Sequence, residues 1–220
     1  MNLSLPQLIA VYAIPVLLAI TLHEAAHAWV ASRLGDPTAR LLGRVSVNPF
    51  RHVDFVGTLL VPAIILLMSK AFGASGLLFG WAKPVPVDAG ALGSPRRDLG
   101  LVAAAGPLAN VAMALLWGLA LKLMLWAGLQ IEFPLLVAQA GVVCNIGLAV
   151  VNLLPVPPLD GGRILASVLP LRAAIAYYRL ERFGLFIVLA LLVSGLLGAI
   201  ITPLIGHGIE SIFWLFNLAD

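Results

Sequence analysis

The sequence predicts a polytopic α-helical membrane protein with a small membrane-associated β element, on three observations. Of the 220 residues, 61% are hydrophobic and only 10% charged, and the mean hydropathy of +1.06 is far above what a water-exposed surface tolerates. The apolar residues fall in runs long enough to cross a bilayer, separated by stretches rich in Pro, Gly and Arg. One of those stretches, Gly43-Arg44-Val45-Ser46-Val47, alternates with the period of a strand.

The first expected span covers residues 8–31, which at about 1.5 Å per helical residue crosses a hydrocarbon core of about 30 Å. Pro15 marks a kink in it. The preceding residues, MNLSLPQ, carry no Lys or Arg, so a cleaved secretory signal is not expected and the span is read as retained. Residues 36–49 lose the apolar continuity and end in the alternating pattern. A second extended piece over 81–87, WAKPVPV, contains two prolines and is restricted to an edge strand or a loop. Between them, the apolar segment 55–80 is interrupted by Lys70, Gly73, Gly76 and Gly80, which predicts a helix followed by a re-entrant return. Spans over 99–127 and 134–154 follow, the second ending in Asn152-Leu153-Leu154-Pro155. The tract PVPPLDGGR, from Pro155 to Arg163, then breaks the helix. Residues 171–182 read as a basic amphipathic helix at the interface. Residues 183–205 read as the last span, with ESIFWLFNLAD as an interfacial tail. No repeat or low-complexity tract appears, and residues 1–220 read as one integral-membrane domain.

Charge placement orients this map. Arg33, Arg40, Arg44 and Arg51, then Lys83, Arg96 and Arg97, then Arg163, Arg172, Arg179 and Arg182 make eleven of the 13 basic residues, all in three inter-span segments. The positive-inside rule places those segments in the cytosol, with the N-terminus outside. The first two share a side only if 55–80 enters and leaves by the same face. A net charge of +3 spread over loops is topology rather than a nucleic-acid surface, so no nucleic-acid partner is expected. The absence of an organellar transit pattern points to a prokaryotic plasma membrane. Cys144 is the single cysteine, which excludes an intrachain disulfide and a Cys-based metal cluster.

Chemistry concentrates at His23-Glu24-Ala25-Ala26-His27, in the last third of the first span. On a helix the two histidines stack on one face and Glu24 falls in the same arc, an arrangement that holds Zn²⁺ with a carboxylate beside it as general base. Three ionisable groups within five residues are costly in lipid unless something pairs them. A catalytic zinc usually takes three protein ligands, so a partner is needed from elsewhere. Asp160 is the candidate: it lies in a helix break, and Gly161-Gly162 after it would let the chain approach a metal. The competing reading of Asp160 is a capping residue before a turn. Asn152, near the same span end, has an amide able to donate to an oxyanion, or equally to hydrogen bond between helices. Asn110 and Asn145 carry the interhelical reading too. His52, beside Arg51 and Asp54, reads as a structural or supporting hydrogen-bonding residue. His207 reads as lying outside the last span and apart from the chemistry.

The pairing of HEAAH with NLLPVPPLDGG resembles the site-2 protease family of intramembrane zinc metalloproteases, in which the second signature is N-x-x-P-x-P-x-L-D-G-G. Asn152, Pro155, Pro157, Leu159, Asp160, Gly161 and Gly162 match it. The strings Gly106 to Asn110 (G-P-x-x-N) and Asn48 to Gly57 (N-P-x-R-H-x-D-x-x-G) resemble further features of its small members, without PDZ-like or CBS-like appendages. The resemblance implies that His23, His27 and Asp160 ligate Zn²⁺, that Glu24 activates water, and that Asn152 serves the oxyanion or the substrate. It also implies an endopeptidase acting on transmembrane segments of other proteins in the bilayer. A helix shields its own peptide bonds, so such a substrate must be unwound, and the extended pieces 43–49 and 81–87 are expected to hold it by strand addition. Two rival classes remain at this level: a catalytically silent membrane protein that binds metal and holds client helices, and a metal-ion transporter. The oligomeric state is not encoded in any motif.

Overall fold

A computed structural model describes residues 3–52, 54 and 83–218. The helix and re-entrant return expected over 55–80 lie outside the described residues, as do Trp81 and Ala82 of the second extended piece. The main helices are α1 (Leu5–Arg33), α2 (Pro95–Trp126), α3 (Glu132–Asn152), α4 (Asp160–Val168), α5 (Leu171–Tyr178), α6 (Gly184–Val193) and α7 (Leu196–Leu215). Among the described residues α1, α2, α3 and α7 are long and apolar enough to cross a membrane.

The N-terminus of α1 is set by Ser4, whose backbone N–H and hydroxyl both donate to Gln7 Oε1, at 2.9 and 2.8 Å, with Pro6 in the first turn. The helix runs unbroken through Pro15. Helices α1, α2 and α3 pack on one another, α4 lies on α2, and α7 lies mainly on α3. Lipid offers no hydrophobic drive between helices, so close approach depends on small residues at the contacts. A Cβ on Gly141 would stand 2.3 Å from the Trp117 ring, and one on Gly118 would stand 2.7 Å from Ile212. Ala114, Val142, Ile146 and Ile212 form the core this closeness permits.

The last span differs from expectation. Hydropathy is continuous over 183–205, but the chain turns at Ser194-Gly195, where Gly195 has φ +73° and starts α7. The ten residues of α6 reach about 15 Å, half a hydrocarbon core, whereas the 20 of α7 reach about 30 Å. The first six residues of the expected interfacial tail, 210–215, are therefore the end of α7, and His207 lies within that helix rather than outside a span. The interfacial helix expected over 171–182 is present as α5 followed by a short turn of helix over Glu181–Phe183.

The β element is not formed among the described residues. Gly43 has φ +67°, Ser46 N–H closes on Arg44 O, and Ser46 O accepts from the His52 ring, so these backbone groups are spent locally. Residues 83–88 form no helix and no strand, with Val85 packed on Ala28 and Ala39.

Asp36 ties these two segments. Fully buried, it accepts from Thr38 N–H at 2.9 Å and from Asp88 N–H at 2.7 Å. Burial alone would raise its carboxyl pKa, but the Thr38 hydroxyl and the amides of Thr38 and Asp88 outweigh that and hold it below the ordinary carboxylate range. Such a group stabilises the fold fully above its unfolded pKa, about 3.9, and loses that contribution as pH falls through the lower folded value. Asp36→Ala is expected to cost about 1.5–3 kcal/mol at neutral pH. Thermal unfolding in detergent should show the gap from wild type closing as the medium is acidified below about pH 4; a gap that stays constant would remove the carboxylate as its cause.

Candidate metal centre

Two histidines one helical turn apart and an aspartate more than a hundred residues away converge between α1, α2 and the start of α4. The i, i+4 spacing on α1 puts His23 and His27 one turn apart, their rings edge to face with centroids 4.6 Å apart. Asp160 arrives from the other side, as the first residue of α4. The tract between α3 and α4 curls tightly onto itself: a Cβ on Gly161 would stand 2.2 Å from Leu153 O, and one on Gly162 would stand 2.7 Å from Pro157 N. The two glycines thus let the tract fold against the end of α3 and so aim Asp160.

Room for a metal is made by Gly106 on α2. A Cβ there would lie 2.4 Å from His27 Nε2 and 2.6 Å from His23 Nε2. One turn to either side, α2 holds both rings by their other nitrogens. His27 Nδ1 lies 2.7 Å from Val102 O, and His23 Nδ1 lies 2.6 Å from Asn110 Oδ1. A carbonyl only accepts, so His27 carries a proton on Nδ1, and the neutral ring, the form that binds metal, turns its Nε2 lone pair inward.

The inward atoms form a triangle. His23 Nε2 is 3.1 Å from His27 Nε2, and Asp160 Oδ2 is 3.2 Å from the first and 3.4 Å from the second. Asp160 Oδ2 is buried with no hydrogen-bond partner, and all three residues are 7–8% exposed. Three buried atoms presenting lone pairs to one another repel unless a cation joins them. Tetrahedral zinc with bonds of about 2.0–2.1 Å separates its ligand atoms by about 3.3–3.4 Å, close to the edges of this triangle. The donor set, its spacing and the orphaned oxygen all fit a zinc ion. Three protein ligands would leave a zinc ion a fourth position for water, as in catalytic sites.

The remaining candidates divide. Glu24 is half-buried on the turn between the two histidines. Asn152, at the end of α3, donates from its amide to Leu148 O at 3.0 Å and makes no bond to the triangle among the described residues. His52 stays apart: it is 1% exposed, and its Nε2 donates to Ser46 O at 2.8 Å, the structural role expected of it. His207 faces outward on α7 beside Glu210. Val102 was not foreseen, because a main-chain acceptor has no residue signature. Gly106 and Asn110 were visible only as a string four residues apart.

Comparison with known proteins points to the same metal. The chain is 34% identical over 209 residues to a Bacillus subtilis protein provisionally named zinc metalloprotease YwhC, covering 93% of this chain and 90% of that one. The profile of peptidase family M50 matches residues 128–195. The chain belongs to peptidase family M50. Within that family, the site-2 proteases, it also resembles proteins given the provisional name zinc metalloprotease Rip2. These are from Mycolicibacterium smegmatis, 29% identical, and Mycobacterium tuberculosis, 30% identical, each covering 92% of this chain and 71% of the relative. No solved structure matches. The M50 profile takes in Asn152 and Asp160, whereas HEAAH lies outside its matched residues and inside the longer pairwise match.

Proposed function

We propose that this M50 protein is an intramembrane zinc endopeptidase that hydrolyses peptide bonds in or near transmembrane segments of other membrane proteins. The observation that carries the reading is the buried triangle of His23 Nε2, His27 Nε2 and Asp160 Oδ2, with Glu24 on the turn that supplies two of its corners. Ligands that converge on one such set, rather than repeating along a path, argue against a transporter.

His23, His27 and Asp160 hold the zinc, which when bound makes water nucleophilic at neutral pH and polarises a carbonyl. Glu24 takes a proton from the attacking water as the C–O bond forms, then delivers it to the leaving nitrogen as the C–N bond breaks. The Asn152 amide, at the mouth of the tract that carries Asp160, donates to the oxyanion. Val102 and Gly106 keep the ligating nitrogens unprotonated and unobstructed. A helical substrate shields its peptide bonds, so it must be unwound. In the extended stretch beside α1, Pro84 and Pro86 leave Val85 and Val87 as amide donors two residues apart, hence on one edge, where unwound substrate can pair. The arginine-rich segments orient the chain with its N-terminus outside and the zinc near the cytosolic face of a prokaryotic plasma membrane.

Metal removal tests the reading. Purified protein in detergent is expected to cut a labelled single-span substrate, to stop after chelation, and to recover with Zn²⁺ but not Mg²⁺, whose preference is for octahedral oxygen ligands. Undiminished cleavage by metal-free protein would overturn the proposal.

A further inference from the structure

We infer that Asn145, which touches no metal ligand, is a positioning residue: through Asn110, and together with Ala19 O, it helps to fix which nitrogen of His23 is free to bind the metal. The inference rests on the zinc reading above.

Asn110 and Asn145 are both fully buried, in the contact between α2 and α3. Asn145 Nδ2 donates to Gly141 O at 2.8 Å, and its Oδ1 accepts from Asn110 Nδ2 at 3.0 Å. Asn110 Nδ2 also donates to Ala19 O at 3.2 Å, so both amide hydrogens are used and only Oδ1 is left to face His23 Nδ1. The direction of this chain of bonds is not free. Gly141 O and Ala19 O are main-chain carbonyls and can only accept, so each forces an amide nitrogen toward itself. The consequence arrives at His23: facing an oxygen, its Nδ1 must carry the proton, and its Nε2 must present a lone pair to the triangle.

A mere staple between helices would not need this polarity. With both amides turned over, Asn145 would still bond to Asn110, and α2 would still be tied to α3. Asn110 would then offer N–H to His23 Nδ1, the ring proton would move to Nε2, and one corner of the triangle would be blocked. The carbonyls of Gly141 and Ala19 exclude that arrangement by leaving oxygen against oxygen. The string Gly106 to Asn110 thus acts with a residue on the next helix, one turn beyond Gly141.

The test is the Zn²⁺ dissociation constant of the full chain in detergent, measured by competition with a chromophoric chelator, with the thermal midpoint of the metal-free protein recorded beside it. Asn110→Leu is expected to weaken zinc by about 10–100-fold, the usual effect of removing a partner of a ligating histidine. Asn145→Leu is expected to weaken it by about 3–10-fold, through Asn110 alone. The double variant should bind within about 2-fold of Asn110→Leu, since a chain already cut at Asn110 has nothing more to transmit. Asn145→Asp keeps an acceptor toward Asn110 and should hold zinc more tightly than Asn145→Leu even where the metal-free midpoint falls. A purely structural role predicts the reverse order. Wild-type zinc affinity in Asn145→Leu, or additive losses in the double variant, would overturn the inference while leaving the metal site intact. Failure of the wild-type chain to take up Zn²⁺ would overturn both.

Discussion

Glu24→Gln is expected to keep its zinc and lose its protease activity. The substitution preserves shape and leaves the three ligating atoms untouched, since Glu24 is not a corner of the triangle. What it removes is the carboxylate proposed to take a proton from water and return it to the leaving nitrogen. General acid–base catalysis is worth about 10²–10⁴-fold, and one residue here performs both transfers, so cleavage of a labelled single-span substrate should fall by about that factor. Metal analysis of the same preparation should give zinc near the wild-type level. His23→Ala and Asp160→Ala should instead lose metal and activity together, because each takes away one corner. The contrast separates an enzyme from a membrane protein that binds metal and only holds clients: equal cleavage by wild type and Glu24→Gln would sink the assigned role of Glu24 and the protease reading with it.

How far the sequence could be read depended on where each signal is written. His23, Glu24 and His27 were legible because their geometry is local, set by helical spacing alone. Asp160 was legible because a Pro- and Gly-rich break inside an apolar context is unusual, although the packing of its two glycines was not. They pack on the main chain of Leu153 and Pro157, a contact that only the folded tract reveals. The misplaced final span has a plain cause: hydropathy runs unbroken through Ser194-Gly195, while the turn there depends on one left-handed glycine. Alternation over Gly43–Val47 suggested a strand, yet the period of a strand does not say whether an edge is available, and His52 occupies one of the carbonyls. Asn110 and Asn145 looked like interhelical polar pairs, and they are. Their polarity toward His23 emerges only when the carbonyls at the far ends of the bonds are known.

Gly106→Ala is expected to empty the metal site by adding a single methyl group. The new Cβ would meet His27 Nε2 at 2.4 Å, His23 Cε1 at 2.5 Å and His23 Nε2 at 2.6 Å. Relief by side-chain motion is closed off, since both rings are buried and held at Nδ1 by Val102 and Asn110. Either α2 moves away from α1, drawing those two anchors with it, or the rings turn and the triangle opens. Overpacking of this kind costs about 1–3 kcal/mol, and here the strain falls on the ligating atoms, so zinc affinity should drop by up to about 100-fold. The helix itself argues the other way, because alanine is favoured over glycine in a helix interior by about 1 kcal/mol. The metal-free protein should therefore not be destabilised in proportion to its loss of zinc, which marks the defect as one of the site. Gly198→Ala on α7 is the matched control: nothing lies within 4 Å of a Cβ there, and zinc binding should be unchanged. Wild-type zinc content in Gly106→Ala would mean that α2 can withdraw from α1 without disturbing the ligands, and that the face of Val102, Gly106 and Asn110 is not what holds the site.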